Sequence, residues 1–300
     1  MRLSKLLPLL GYEKFEIINE KEFDFLALSS MVLDFDSCVF VDDEKVIDKI
    51  AHNVTMILTE NSFKEKFEDA SYGVCLIENP RVVFFELHNY LSKIEGYKRK
   101  ADKTSIGKNC KISPLASIAE NNVVIGDNVI VEEFVVIREN TVIREGSIVR
   151  SGAIIGGQGF EYKRIDDGIL SVEHSGGVLI GKNVEIQHSS CIDRGVYPWD
   201  DTIIEDNSKI DNLTHIAHGV KIKRNVLIAA HSLIAGRVVI KKNVWIGPGT
   251  VVSNGLTIGE NARVNIGAVV TKNVEDGGSV TGNFAIDHKK FLKNLKEINR

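Results

Sequence analysis

Two histidines, His215 and His218, stand three residues apart in the stretch "DNLTHIAHGV". An imidazole titrates near neutrality, so either could serve as a general base. Asp193, Asp211 and Arg194 are residue types able to orient such a base or to bind substrate, and their types alone do not choose among them. The cysteines Cys38, Cys75, Cys110 and Cys191 are scattered and form no Cys-x-x-Cys. They read as reduced thiols, neither nucleophile nor zinc ligands, and no metal is expected.

The elements that carry these residues follow a six-residue beat. An aliphatic residue recurs at Ile106, Ile112, Ile118, Ile125, Val131, Ile137, Ile143, Val149 and Ile155. The beat breaks over "GQGFEYKRIDDGILSVEHSGG", resumes at Ile180, Ile186 and Ile192, and breaks again at "DRGVYPWDDT". It then runs unbroken from Ile204 to Val270. Period six is neither helical nor a plain strand alternation, and it matches hexapeptide β-helix repeats. Three repeats close a coil of about 18 residues, so roughly eight left-handed coils are expected. The aliphatic column is then core rather than site. The fold class expected is mainly β: a left-handed parallel β-helix over 102–275, with an α/β domain over 1–101 and a tail with a short helix over 276–300.

The first hundred residues have another texture. "LSKLLPLLG" reads as a short helix ending at Gly11, and "SCVFVDD" and "VTMILTE" read as strands. "VIDKIAHN" and "RVVFFELHNYLSKI" have helical spacing, the latter through Phe84, Leu87, Leu91 and Ile94. "EGYKRKADKT" reads as a polar linker. Near the other end, Phe291, Leu295 and Ile298 fall on one face of a helix whose lysines read as solvated.

Composition excludes several classes. The chain has 300 residues, 43% of them hydrophobic, enough for one large or two modest cores. A net charge of −4 does not ask for nucleic acid. The apolar run near the start is too short for a secretory core, and no stretch suits a membrane span. A cytoplasmic location is expected.

Hexapeptide phase places the histidines. With "DRGVYPWDDT" looped out, Ile192 and Ile216 share a face in successive coils. His218, as third residue of its repeat, is expected on that coil face, one level from Arg194 and one from Gly236. His215 is expected at a corner, lining the pocket at most. Gly236 leaves its backbone N–H open, so His218 as base beside Gly236 as oxyanion donor is the catalytic pairing expected.

The series "GFEY", "IDRG", "DDT" and "IDN…IAH", in that order, resembles the UDP-3-O-acylglucosamine N-acyltransferase family of lipid A biosynthesis. The resemblance spans nearly the whole chain, including "VFVDDEKV" and "LIENPRVVFFEL". It implies homotrimers of left-handed β-helices with active sites between subunits. It gives His218 the role of general base and Gly236 that of oxyanion donor. It also implies that the N-terminal domain helps bind the nucleotide, through the segment holding Phe40, Asp43 and Lys45. Phe160, Tyr162, His174, Asp193, Arg194, Asp211, Asn212 and His215 are the further substrate contacts expected. Lys223, Arg237, Lys241 and Lys242 are candidate contacts for donor phosphates.

The chain departs from that family in places. Leu256 stands where the family has a second histidine after "NG", and a tyrosine expected beside the nucleotide base is missing near Val46. The family's longer C-terminal helical extension, tied to carrier-protein contacts, is absent. "NVWIGPGTVVSNGLTIGENARVNIGAVVTKNV" and "TGNFAI" look more like coenzyme A-using sugar acetyltransferases. The reading favoured is therefore N-acyl transfer from acyl-coenzyme A to the amine of a nucleotide-activated amino sugar for surface polysaccharide or lipopolysaccharide. The alternative is the lipid A enzyme itself, using acyl-carrier protein. Two further rivals are a trimeric β-helix scaffold and a γ-class carbonic anhydrase built on His215, His218 and His231.

Overall fold

The beat folds into short parallel strands, such as Lys209–Ile210, His215–Ile216 and Lys221–Ile222. A computed structural model describes residues 1–67, 71–282 and 285–298. Strands one coil apart pair in register: Ile222 lies opposite Ile240, Ile210 opposite Ile228 and Ile216 opposite Ile234. They stack into three sheets, here called the first, second and third faces after these three pairs in that order. Together the faces form a left-handed parallel β-helix. Its aliphatic column from Ile204 to Val270 is buried, and so are Val220, Val226, Val238 and Val244, four residues after their column members. Each such side chain contributes about 1.5–3 kcal/mol relative to exposure. The column ends openly at Ile106, which is 53% exposed because its strand pairs on one side only.

Between the first and second faces the chain must turn through a left-handed residue on every coil. Asn109, Asn128, Asn183, Asn207, Asn225, Asn243 and Asn261 hold this corner at φ between 53 and 63, and Gly146 and Gly277 hold it on two further coils. Asparagine tolerates that conformation better than other side chains except glycine. The amides also stack into a ladder, with Asn225 Nδ2 donating to Asn243 Oδ1 at 3.1 Å and Asn243 Nδ2 to Asn261 Oδ1 at 3.0 Å.

A second compact unit comprises residues 1–100 joined by 160–176 and 196–200. Its sheet contains β1 (Glu16–Ile18), β2 (Phe25–Leu26), β3 (Ser37–Val41), β4 (Val54–Thr59) and β5 (Gly73–Leu76). The order is β1-β5-β4-β3-β2, with only β1 antiparallel to its neighbour. Helix α1 (Leu3–Leu6) runs into a 3-10 turn that Gly11 stops at φ 84. Helix α2 (Pro80–Leu91) buries Val83, Phe84, Leu87 and Leu91 and packs on β3 and β4. The helix expected over "VIDKIAHN" is instead a 3-10 segment, Glu44–Lys49. Beyond it the chain is drawn to the sheet: Ala51 N–H donates to Ser29 O, and Ser37 N–H to Asn53 O.

Both breaks in the beat feed this unit's core. Tyr197 is 1% exposed and stacks on Trp199 with centroids 5.2 Å apart. Trp199 Nε1 donates to Leu26 O at 2.9 Å, and Arg99 Nε to Pro198 O at 2.7 Å. Asn89 grips the other break, donating to Ser171 O and accepting from Glu173 N–H. The presumed polar linker also contributes, since Tyr97 is buried and its hydroxyl accepts from Leu26 N–H. At the far end the coil ladder continues to Ser279–Val280, so the segment expected as tail from 276 begins with one more rung. Helix α3 (His288–Ile298) follows, with Phe291 and Leu295 exposed. Asn283 and Phe284 of "TGNFAI" and the side chain of Ile298 lie outside the described residues.

Candidate active site

His215 belongs to the strand His215–Ile216, opposite Cys191 and Leu233. His218 opens the turn that follows, and Gly219 turns it at φ 69. The expected placement, with His218 on the face and His215 at the corner, is thus reversed. Each strand consists of the column residue and the one before it, so a residue two positions later falls in the turn. The expected alignment survives, because Ile192, Ile216 and Ile234 are in register. That places Arg194, His218 and Gly236 at equivalent points of three successive coils.

The imidazole of His218 lies against Gly236. A Cβ at 236 would sit 2.8 Å from both Cε1 and Nε2 of His218, so a side chain there would displace the ring. The turn itself is pinned from the coil before. Thr202, buried, accepts from Gly219 N–H at 2.9 Å through its Oγ1. This gives the "DDT" stretch a physical task that residue types alone did not reveal. The Gly236 N–H has no acceptor among the described residues. An imidazole and a backbone donor thus share one corner.

Asp193 closes the strand Cys191–Asp193 and is 6% exposed. Its Oδ2 is 3.4 Å from His215 Nε2. Burial pushes its carboxyl up to about 6, while the neighbouring His215 and His218 pull it back down. Arg194 Nε donates to Gly156 O at 2.8 Å. Asp211 is committed elsewhere: Oδ1 accepts from Asn212 N–H and Oδ2 from Ala230 N–H. Asn212 in turn accepts from His188 N–H. These two residues therefore brace the corner between the second and third faces. His231 sits on that corner too, exposed, at φ 60.

The remaining expected contacts are placed as follows. Phe40 packs against Phe84 at 5.0 Å, with the Arg81 guanidinium 5.4 Å above its ring. Asp43 caps the 3-10 segment by accepting from Lys45 N–H, and the Lys45 side chain is exposed. Phe160 is 88% exposed and edges onto Tyr162, while His174 is buried with Nδ1 3.0 Å from Val172 O. All six belong to the N-terminal unit. Lys223 pairs with Glu205, Lys241 with Asp276 and Lys242 with Glu260. Each of the three lysines thus has a carboxylate partner nearby, a weaker arrangement for gripping phosphate than open ammonium groups. Arg237 follows Gly236 at φ 60, its N–H donating to His218 O. Leu256 packs against the β-helix core, in the column of Val220 and Val238.

No group of three or more metal-ligating side chains that could hold a metal ion occurs among the described residues. Nor is any helix among them long and apolar enough to cross a membrane.

Comparison with known proteins agrees with the fold. Residues 201–236 match the bacterial transferase hexapeptide family (six repeats). The chain is 44% identical over 142 residues to UDP-3-O-acylglucosamine N-acyltransferase 2 of Legionella pneumophila strain Lens, 47% of this chain and 41% of that protein. It is 48% identical over 146 residues to UDP-3-O-acylglucosamine N-acyltransferase of Caulobacter vibrioides strain NA1000, 49% of this chain and 42% of that protein. The matched part thus spans about two fifths of each relative. Among solved structures, UDP-N-acetylglucosamine acyltransferase from Campylobacter jejuni superposes with a TM-score of 0.54 at 23% identity, over 65% of this chain and 79% of that one. The chain is a hexapeptide-repeat left-handed β-helix whose sequence resembles the UDP-3-O-acylglucosamine N-acyltransferases.

Proposed function

We propose that the chain is an N-acyltransferase acting on a nucleotide-linked acylated glucosamine, with an acyl thioester of acyl-carrier protein as donor. The observation that carries this is the His218 imidazole seated on Gly236. The amine attacks the thioester carbonyl and forms the C–N bond. His218 takes the amine proton, and the Gly236 N–H holds the oxyanion of the tetrahedral intermediate. The C–S bond then breaks, and the departing thiolate recovers the proton from the imidazolium. No covalent enzyme intermediate is required. Phe40, Asp43 and Lys45 are assigned to the nucleotide, and Phe160, Tyr162, His174 and Arg194 to further substrate contacts. Arg237 is assigned to donor phosphate. Identity to the two relatives of 44% and 48% over nearly half the chain supports the substrate class.

A homotrimer is part of the reading. The third face carries outward Ile154, Leu233, Val251 and Val269, between 38% and 69% exposed, in the same ladder as His215. Such an apolar strip on a flat sheet suits cover by a second copy. A second reading, coenzyme A as donor and another amino sugar as acceptor, draws on Leu256. That residue fills a core column where a second site histidine would be needed.

Purified His218→Ala tests the proposal directly. The variant is expected to keep its assembly by light scattering and to lose transfer by about 10²–10⁴-fold. Turnover near wild type would overturn the role of His218. Assay with acyl-carrier protein against coenzyme A thioesters separates the two donors.

A further inference from the structure

The proposed reaction uses His218 and Gly236 and leaves Asp193 and His215 without a part. Yet Asp193 is a carboxylate held almost out of water, where a charge is costly unless something answers it. What answers it here is His215, at 3.4 Å. The groups around Asp193 can be named from each side. Its own strand offers Cys191, and the next residue is Arg194, whose Nε is turned to Gly156 O. The following coil offers His215 and, beyond Ala217, His218. The preceding coil offers Ile154–Gly157, which bears no charge. Gly157 keeps that side open, since a Cβ there would be 3.6 Å from Asp193 Oδ1. Arg138 lies past it, against Gly156. Asp211, the other aspartate of this neighbourhood, has both oxygens occupied by backbone N–H groups.

We infer that Asp193 is a positioning residue shared between the two histidines, and that its pairing with His215 withholds its charge from the His218 imidazole, the base of the proposed reaction. The electrostatics run in one direction. A carboxylate left alone beside His218 favours the imidazolium and so disables a base. The His215 imidazole on the same carboxylate, at 3.4 Å, answers that charge instead. The two histidines of "THIAH" then have separate tasks: one moves the proton, and the other answers the buried charge behind it. This rests on the acyl-transfer reading only for its activity arm.

The experiment compares His215→Gln, Asp193→Asn and the double variant with wild type. In kcat/KM against pH, His215→Gln is expected to move the acid limb to higher pH and to lower kcat/KM at pH 6 about threefold or more. Asp193→Asn is expected to move the limb the other way relative to His215→Gln, and the double variant to behave as Asp193→Asn. In parallel, the His218 Cε1 resonance of selectively labelled protein is titrated without substrate, and its midpoint is expected to follow the same order. Thermal unfolding identifies any variant that fails to fold, and His215→Gln alone then decides. Acid limb and resonance both unmoved in His215→Gln, or displaced equally by all three variants, would overturn the inference. If no amino-sugar nucleotide is acylated but the resonance moves in the stated order, the inference stands and the acyl-transfer reading fails.

Discussion

Two corners of the same β-helix solve one backbone problem in different ways. Between the first and second faces, the left-handed position is filled by asparagine on seven coils from Asn109 to Asn261, with Gly146 the one interruption among them. After the third face, asparagine holds the equivalent position only in early coils, at Asn122 and Asn140, and around His218 it gives way to Gly219, Arg237 and Gly255. Both corners must bend the chain by the same amount. Where bending is all that is asked, the cheapest side chain recurs and its amides bind one another. Where the corner after the third face carries His218 against Gly236, the asparagines have given way to glycine and arginine. Variation alone does not single out that corner, since the one between the second and third faces also varies, through Phe134, Gly152, Ser189, Leu213, His231, Gly249 and Gly267. The imidazole packed on a side-chain-free glycine does.

The largest test of that contrast is Gly236→Ala. The added carbon would stand 2.8 Å from two atoms of the His218 ring, so the imidazole must swing away. Misplacing a base by an ångström costs about 10²-fold in rate. The overpacked corner also loses about 1–3 kcal/mol of stability. Steady-state transfer and thermal unfolding measure the two effects. Full activity would mean that the contact between ring and glycine has no catalytic part.

Thr202→Val should have a smaller effect. It removes the oxygen that accepts from Gly219 N–H inside the coil and leaves that donor unsatisfied. The expected cost is about 1–3 kcal/mol, together with a drop in kcat of less than tenfold because the His218 turn loosens. A stability loss of that size with kcat unchanged would show that the turn holds its shape without Thr202.

What could be read before the structure follows the same division. The column from Ile204 to Val270 was legible because an inward side chain at a fixed period has one meaning. Counting coils was enough to bring Arg194, His218 and Gly236 into line. It was not enough to tell face from corner for His215 and His218, since that depends on which side of the column residue the strand extends. Nor could it choose between Asp193 and Asp211. That choice turns on which carboxylate the backbone N–H groups consume, and only the turn at Asn212 and Ala230 decides it. The breaks misled for another reason. Tyr197 and Trp199 read as residues of a looped-out insertion, but Trp199 Nε1 donates to Leu26 O, 173 positions away. Leu256 read as a missing histidine, whereas its place in the fold is a core column.

The smallest expected effect lies at the repeating corner. Asn225 stands at φ 61, with one amide neighbour on each side, Asn207 and Asn243. Asn225→Ala puts an ordinary side chain into the left-handed region, at about 1–2 kcal/mol, and cuts the amide ladder in the middle. Asn225→Gly cuts the same ladder but accepts the dihedral freely, so it separates the two costs. The glycine variant should unfold at a higher temperature than the alanine variant, and transfer should be unchanged in both. A fall in turnover comparable to that of Gly236→Ala would mean that strain travels between corners through the coil. The contrast between a corner that only bends and the corner proposed to react would then not hold.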